Sequence, residues 1–325
     1  MFRTVIEEIK SPFKIAHQDL ILTMGSCFSQ EMGGKLAENK FNTSVNSLGT
    51  IFNPLSIFEL LELSMESSLS IEEAMLERDG QFYNHKFHSS FNAESNAALL
   101  SKINNRLAEV KSDLTKAKVL FITFGTAWVY ESLENQTLVA NCHKIPKKHF
   151  NKRLLELKEI VDAFFNLKEN IQAINPEIQI VLTVSPVRHT KDSLTLNSAS
   201  KSLLRLACHY LSDMAAGVHY FPSYEIVMDD LRDYRFYEKD MIHLNEQGLD
   251  YIWEVFSKTF FSKATQTTNQ EWQKITQSLG HRPFNSSNPK HQKFLRSTLD
   301  KLQNLNDHLD VKSEIEQVKS QLTNG

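Results

Sequence analysis

The feature that most constrains this chain is a set of short apolar runs, each stopping at a glycine or a small polar residue. Residues 118–124 (KVLFITF) are apolar almost throughout and end at Gly125. Such a run fits a parallel strand buried on both faces. Residues 19–24 (DLILTM) end at Gly25, and residues 178–184 end at Ser185-Pro186. Residues 41–47 and 218–222 read as two further strands. Helical patterns lie between them at 29–39, most of 55–115 with a break around Arg78-Asp79-Gly80, 152–172, 194–215, and 246–262 capped by Asn245. This alternation predicts an α/β fold, a mainly parallel five-stranded sheet with helices on both faces. Ligands of such sheets sit at the carboxyl ends of the strands. Gly25-Ser26-Cys27, Gly49, Gly125 and Ser185-Pro186-Val187-Arg188-His189 all follow predicted strands, so one rim gathers sequence-distant segments.

From about residue 265 the texture changes. Gly280, Pro283, Ser286, Ser287 and Pro289 mark a loop, and a polar helical stretch runs from 290 to about 320 with Leu295, Leu299, Leu302, Leu305 and Leu309 at spacings of three and four. Residues 1–264 are therefore expected to form the α/β domain, and 265–325 a C-terminal helical extension lying on that domain or on a partner chain. A short coiled-coil seam joining copies into a homo-oligomer is the alternative. The hydrophobic fraction of 41% and charged fraction of 23% are those of a globular protein, and a net charge of −3 argues against nucleic acid as a partner. The best basic patch, Lys144, Lys147 and Lys148, reads as a solvated loop. Glu7 and Glu8 stand where a signal peptide needs apolar residues, and no run approaches a membrane span. With Cys27, Cys142 and Cys208 unable to pair completely, a reducing, cytoplasmic location without membrane contact is expected.

Two constellations carry candidate chemistry. In Met24-Gly25-Ser26-Cys27-Phe28, a glycine turn sets a small nucleophile at a helix start, where unpaired N–H groups and the helix dipole favour negative charge. That setting lowers a thiol's pKa and stabilises an oxyanion. The alternative is a capping Ser26 beside a packed Cys27. In Asp240-Met241-Ile242-His243, the aspartate can hold one ring nitrogen and leave the other as a general base. Asn141-Cys142-His143 reads either as a rim segment or as a turn over a buried thiol. Arg188 and His189 could bind a substrate carboxylate or phosphate, or lie solvated in a loop. Cys27, Cys142, His143 and His243 are ligand types suited to zinc, but adjacent Cys142 and His143 lack the usual chelate spacing. No metal or cofactor is expected, and no glycine-rich phosphate loop is present.

Together, the glycine-nucleophile turn and the Asp-x-x-His resemble the SGNH (GDSL-like) hydrolases, whose fold is flavodoxin-like with three layers. The closer resemblance is to the GSCFA family within that group. It is carried by Gly25-Ser26-Cys27-Phe28, Gly49-Thr50-Ile51-Phe52-Asn53-Pro54, Gly125-Thr126-Ala127-Trp128, Asn141-Cys142-His143-Lys144, Ser185-Pro186-Val187-Arg188-His189, Tyr224-Glu225 and Asp240-Met241-Ile242-His243. The resemblance implies an esterase or acyl transferase acting on a small-molecule or carbohydrate ester. Cys27 (or Ser26, if the turn is shifted by one) would be the nucleophile, His243 the base, and Asp240 its orienting partner. The SGNH Gly-x-Asn-Asp block is absent, Gly125-Thr126-Ala127-Trp128 standing in its place; Asn141 and the Gly49 N–H are then the expected oxyanion donors. A non-catalytic binding or scaffold protein of the same fold is the competing expectation.

Overall fold

The computed structural model describes residues 3–66, 71–280 and 288–323. Five parallel strands form the main sheet: β1 (Ile21–Gly25), β2 (Thr43–Thr50), β3 (Val119–Phe124), β4 (Gln179–Val184) and β5 (Val218–Tyr220). Their spatial order, β5-β4-β3-β1-β2, is that of a flavodoxin-like sheet, whose direction of winding switches between β1 and β3. Every residue of β1 and β3 is buried, which explains why those runs show no polar alternation. Helices α1 (Cys27–Glu38), α2 (Pro54–Met65), α3 (Asn96–Lys116), α4 (Leu157–Ile174), α5 (Leu194–Met214) and α6 (Glu246–Phe260) alternate with the strands. Leu120, Ile122 and Phe124 of β3 share one core with Ile57 and Leu61 of α2, Ile160 and Phe164 of α4, and Leu204 and Leu211 of α5.

The secondary structure of the α/β part departs from the sequence reading at a hairpin, a second small sheet and the end of β2. The predicted helical stretch 55–115 is interrupted by an antiparallel hairpin, Met75–Arg78 with Gln81–Asn84. Its turn residues Asp79 and Gly80 both have positive φ, the geometry an Asp-Gly pair adopts in tight hairpins. A second small sheet joins Trp128–Ser132 to Leu138–Val139 and Phe150–Leu154, so the helix expected from 152 begins at Leu157. Strand β2 runs to Thr50 rather than stopping at 47, because its pairing with β1 skips from Val45 to Thr50 and the residues between bulge out.

Two compact units divide the chain: residues 1–8, 20–34 and 43–254, and residues 9–19, 35–42 and 255–325. The sequence reading set one cut at 264/265; side-chain pairing recruits earlier segments to the second unit. Within it, Trp272 Nε1 donates to the Glu38 carbonyl at 2.7 Å, His17 pairs with Asn269 at 2.7 Å, and Phe41 stacks on Phe261 at 4.6 Å. The C-terminal helices are α7 (Lys263–Leu279), α8 (Pro289–Leu305) and α9 (Lys312–Thr323). The helical stretch expected over 290–320 is built of two helices, and Leu295, Leu302, Leu305 and Leu309 close on Trp272, Ile275 and Val318 in a core of their own. Pro283, Ser286 and Ser287 of the predicted loop lie outside the described residues. Among the described residues no helix is long and apolar enough to cross a membrane.

Candidate active site

Strand β1 ends at the sheet's switch point on Gly25, whose φ of +136° and lack of a side chain are both required. A Cβ there would sit 2.2 Å from the Thr123 carbonyl oxygen of β3. The close approach lets the Ser26 N–H donate to that same oxygen at 3.2 Å, and the chain then enters α1 at Cys27. Ser26 occupies the capping position: its carbonyl accepts from Ser29 and Gln30 N–H groups at 2.9 and 3.4 Å. Its hydroxyl, however, is completely buried and makes no hydrogen bond, so the side chain does not cap the helix. Cys27 is only partly buried. Of the two nucleophile candidates, Cys27 is the less buried residue. The expectation of a lowered thiol pKa is not met: burial pushes Cys27 up, outweighing the Phe28 N–H and the positive charge of Lys201.

Lys201 went unnoticed in the sequence reading. It is 1% exposed, and its ammonium donates to the Gly125 carbonyl at 2.7 Å and the Ser185 carbonyl at 2.6 Å. Those carbonyls terminate β3 and β4, so one side chain of α5 ties together the ends of two neighbouring strands. Burial lowers the Lys201 pKa to about 7, with Cys27 and Arg188 both within electrostatic reach. Two neighbours on the same helix act on the same loops. Ser200 Oγ accepts from the Ala127 N–H at 2.7 Å, and Asn197 Oδ1 from the His189 N–H at 2.9 Å. A sequence signal existed: the buried stripe Leu211, Cys208 and Leu204 continues at helical spacing to Lys201, Ser200 and Asn197. A buried stripe that turns polar at the end facing a strand rim has polar work to do there.

Asp240 and His243 form the expected pair, with Nδ1 and Oδ2 2.7 Å apart. The other carboxylate oxygen accepts from the Ile242 and His243 N–H groups, closing a tight turn in which Met241 has a φ of +59°. His243 beside it holds the Asp240 carboxyl down to about 2. Nδ1 is therefore the protonated nitrogen and Nε2 the basic one. Both side chains are half exposed, at the surface rather than buried. His189 links this pair to the rim. It packs edge-on against Phe52 at 5.2 Å, and desolvation together with Lys201 lowers its pKa to about 4, His243 also being within reach. Phe52 in turn accepts from the Gly125 and Thr126 N–H groups at 2.7 and 3.0 Å. Arg188 lies over the Tyr237 ring at 5.2 Å and within reach of Lys201, so the Ser185–His189 loop does join the rim.

Gly49 adjoins the turn through its own strand, since the Ile51 N–H donates to the Gly25 carbonyl at 2.9 Å. Its φ is +84° and a Cβ would strike His88. Asn46, in the same bulge, donates long hydrogen bonds to the Gly25 and Ser26 carbonyls at 3.5 and 3.4 Å. Asn141 and His143 are engaged elsewhere. The Asn141 side chain accepts from the His143 N–H at 2.9 Å, and the Asn141 backbone pairs with His85. His143 is buried, bonds the Asn84 carbonyl at 2.9 Å, and has its pKa lowered to about 4 chiefly by burial. None of these hydrogen bonds reaches the Gly25–Cys27 turn. Cys142 is partly buried, which pushes its thiol up. No group of three or more His, Cys, Asp or Glu among the described residues is placed to hold a metal ion, so Cys27, Cys142, His143 and His243 are not gathered into one.

Comparison with known families bears on the whole of this arrangement. A model described as the GSCFA family matches residues 20–256, the stretch that builds the sheet and every rim residue above. A second, described as the C-terminal domain of GSCFA domain protein, matches residues 272–324, which hold the end of α7 and all of α8 and α9. A search of curated proteins gives no match. With nearly three quarters of its length covered by the first model alone, the chain belongs to the GSCFA family.

Proposed function

We propose that this protein is an SGNH-like acyl hydrolase or transferase acting on an O-acylated small molecule or carbohydrate. The observation that carries the reading is the partly buried Cys27 at a helix start on the sheet's switch point, on the same unit as a histidine already oriented by Asp240. In the proposed reaction Cys27 attacks the ester carbonyl and His243 Nε2 takes the thiol proton, returning it to the leaving alcohol. The carboxylate of Asp240 stabilises the imidazolium formed in between. N–H groups at the start of α1 and at Gly49 would hold the oxyanion. Asn141, the other expected donor, is committed to the histidine cluster and would have to leave it. The raised thiol makes His243 necessary, because a protonated sulfur is a poor nucleophile.

One observation favours a second reading. The same burial that raises Cys27 suits a packed cysteine in a binding protein of this fold. Turnover of short-chain aryl esters by the wild type, Cys27→Ala, Ser26→Ala and His243→Ala separates the two. Hydrolysis lost in Cys27→Ala and His243→Ala but kept in Ser26→Ala is the expected result. Turnover unaffected by all three substitutions refutes the assignment, and a wild type inert on every ester favours the binding role.

A further inference from the structure

Asn46 and Gly49 of the β2 bulge, Phe91 of the segment leading into α3, and one face of α3 wall a cavity of about 410 Å³. That is the size of small-ligand pockets, and it stands at the carboxyl end of β2, the edge at which α/β sheets bind ligands. Gly49 carries the N–H assigned above to the oxyanion, and Asn46 bonds the Gly25 and Ser26 carbonyls, so the cavity begins at the Cys27 turn. Helix α3 contributes Lys102, Asn105 and Arg106, which share one face at helical spacing. The Lys102 ammonium is held by the Ser90 and Asn92 carbonyls at 2.8 and 3.4 Å and lies over the Phe91 ring at 5.7 Å. Those carbonyls supply no countercharge, and the ammonium keeps a third N–H. Arg106 pairs with Glu109 at 2.6 Å through one nitrogen. Two cations against one carboxylate leave the wall one positive charge in excess. A single carboxylate matches that excess better than a phosphate ester, which carries about −1.5 to −2. Asn105 adds an amide, and the buried Asn46 Oδ1 has no hydrogen-bond partner, so the polar wall is not satisfied from within the protein.

We propose that this cavity is the subsite for a hydroxylated carboxylate of the sugar-acid type, with Lys102 and Arg106 holding the carboxylate and the Asn105 amide meeting ring hydroxyls. Phe91 gives the ring an apolar surface to lie against. The inference rests on reading the Gly49 rim as the substrate site, and it narrows that reading: the acylated compound is an acid. The free sugar acid is what an acyl hydrolase would release from it, which makes a simple uronate the natural probe. Its binding requires neither the thiol chemistry nor turnover, so the test reads binding alone.

Nitrogen-15 amide spectra of the full chain are titrated with D-glucuronate, D-glucose and inorganic phosphate, in the wild type, Lys102→Gln and Arg106→Gln. Both side chains are exposed on α3, so neither substitution disturbs the core. The expected result is a saturable shift of the Gly49 and Ser90 amides with glucuronate, weakened by added salt. Glucose is expected to bind the wild type about tenfold more weakly, and glucuronate to lose about tenfold in Lys102→Gln. Shifts that do not saturate by about 100 mM glucuronate overturn the proposal. So does an affinity for glucuronate that is the same in the wild type and both variants. Phosphate binding as tightly as glucuronate overturns the sugar-acid assignment and leaves a bare anion site. The aryl-ester assay keeps the two readings apart: glucuronate binding without ester turnover fails the hydrolase alone, and ester turnover without glucuronate binding fails the cavity alone.

Discussion

Replacing Lys201 by methionine sets two large terms against each other, and pH separates them. The lysine's pKa falls from its ordinary 10.5 to about 7 in the folded protein. At about 1.36 kcal/mol per pH unit, a separation of about 3.5 units means that burying the charge costs about 5 kcal/mol below pH 7. Methionine removes that cost but leaves the Gly125 and Ser185 carbonyls without donors, about 1–3 kcal/mol each. Near pH 6 the two effects nearly cancel. Between pH 7 and 10.5 the unfolded chain binds a proton that the folded one has released, so stability from this position rises with pH. The neutral amine keeps two N–H groups for the two carbonyls, so the hydrogen bonds survive deprotonation. At pH 9 about 3 kcal/mol of the burial cost has gone. Urea unfolding of wild type and Lys201→Met at pH 6, 7, 8 and 9 is therefore expected to show the wild type gaining about 3 kcal/mol on the variant across the series. Cys208 and Tyr220, whose burial raises their pKa values and makes alkaline pH destabilising, contribute equally to both proteins and drop out of the difference. A difference constant across the series would refute the argument that burial lowers the Lys201 pKa in the folded protein.

Gly25→Ala is expected to cost more than about 3 kcal/mol, because its Cβ meets the Thr123 carbonyl at 2.2 Å. Gly34→Ala, in α1 with no atom within 4 Å of the added carbon, should be neutral or gain up to about 1 kcal/mol; equal urea midpoints for the two would contradict the close approach. Ser200→Ala strands the buried Ala127 N–H and should cost about 1–3 kcal/mol in thermal unfolding, with no loss sinking the loop-anchoring role. Asp240 keeps its carboxylate down to about pH 2, so nitrogen-15 spectra should show His243 as the Nδ1–H tautomer whenever neutral. Asp240→Ala should mix the tautomers, and an unaltered spectrum would mean that Asp240 does not orient the ring.

Some of the architecture was legible because it is written locally. The continuous apolar runs ending at Gly25 and Gly125 announce buried parallel strands, and with them the rim where their loops meet. The Asp240–His243 pair was equally readable, since both residues belong to one turn. The hairpin at Asp79-Gly80 is written just as locally, but an Asp-Gly pair also breaks a helix, and residue type alone does not separate the two; the leucines of 295–309 reveal an apolar face but not what covers it.

What the sequence alone determined is what spacing and turn chemistry can carry: an α/β sheet, the glycine turn before Cys27, and a histidine with its aspartate. The tertiary structure decided the rest, because burial and long-range pairing belong to no short window. Packing hides the Ser26 hydroxyl while leaving the neighbouring Cys27 only partly buried. The distance in sequence from Gly125 to Lys201 vanishes only when α5 lies against the sheet, and only there does a lysine become a buried charge on two strand ends. Desolvation then sets the proton affinities of Cys27 and Lys201, a property of the folded surroundings that residue identity cannot encode.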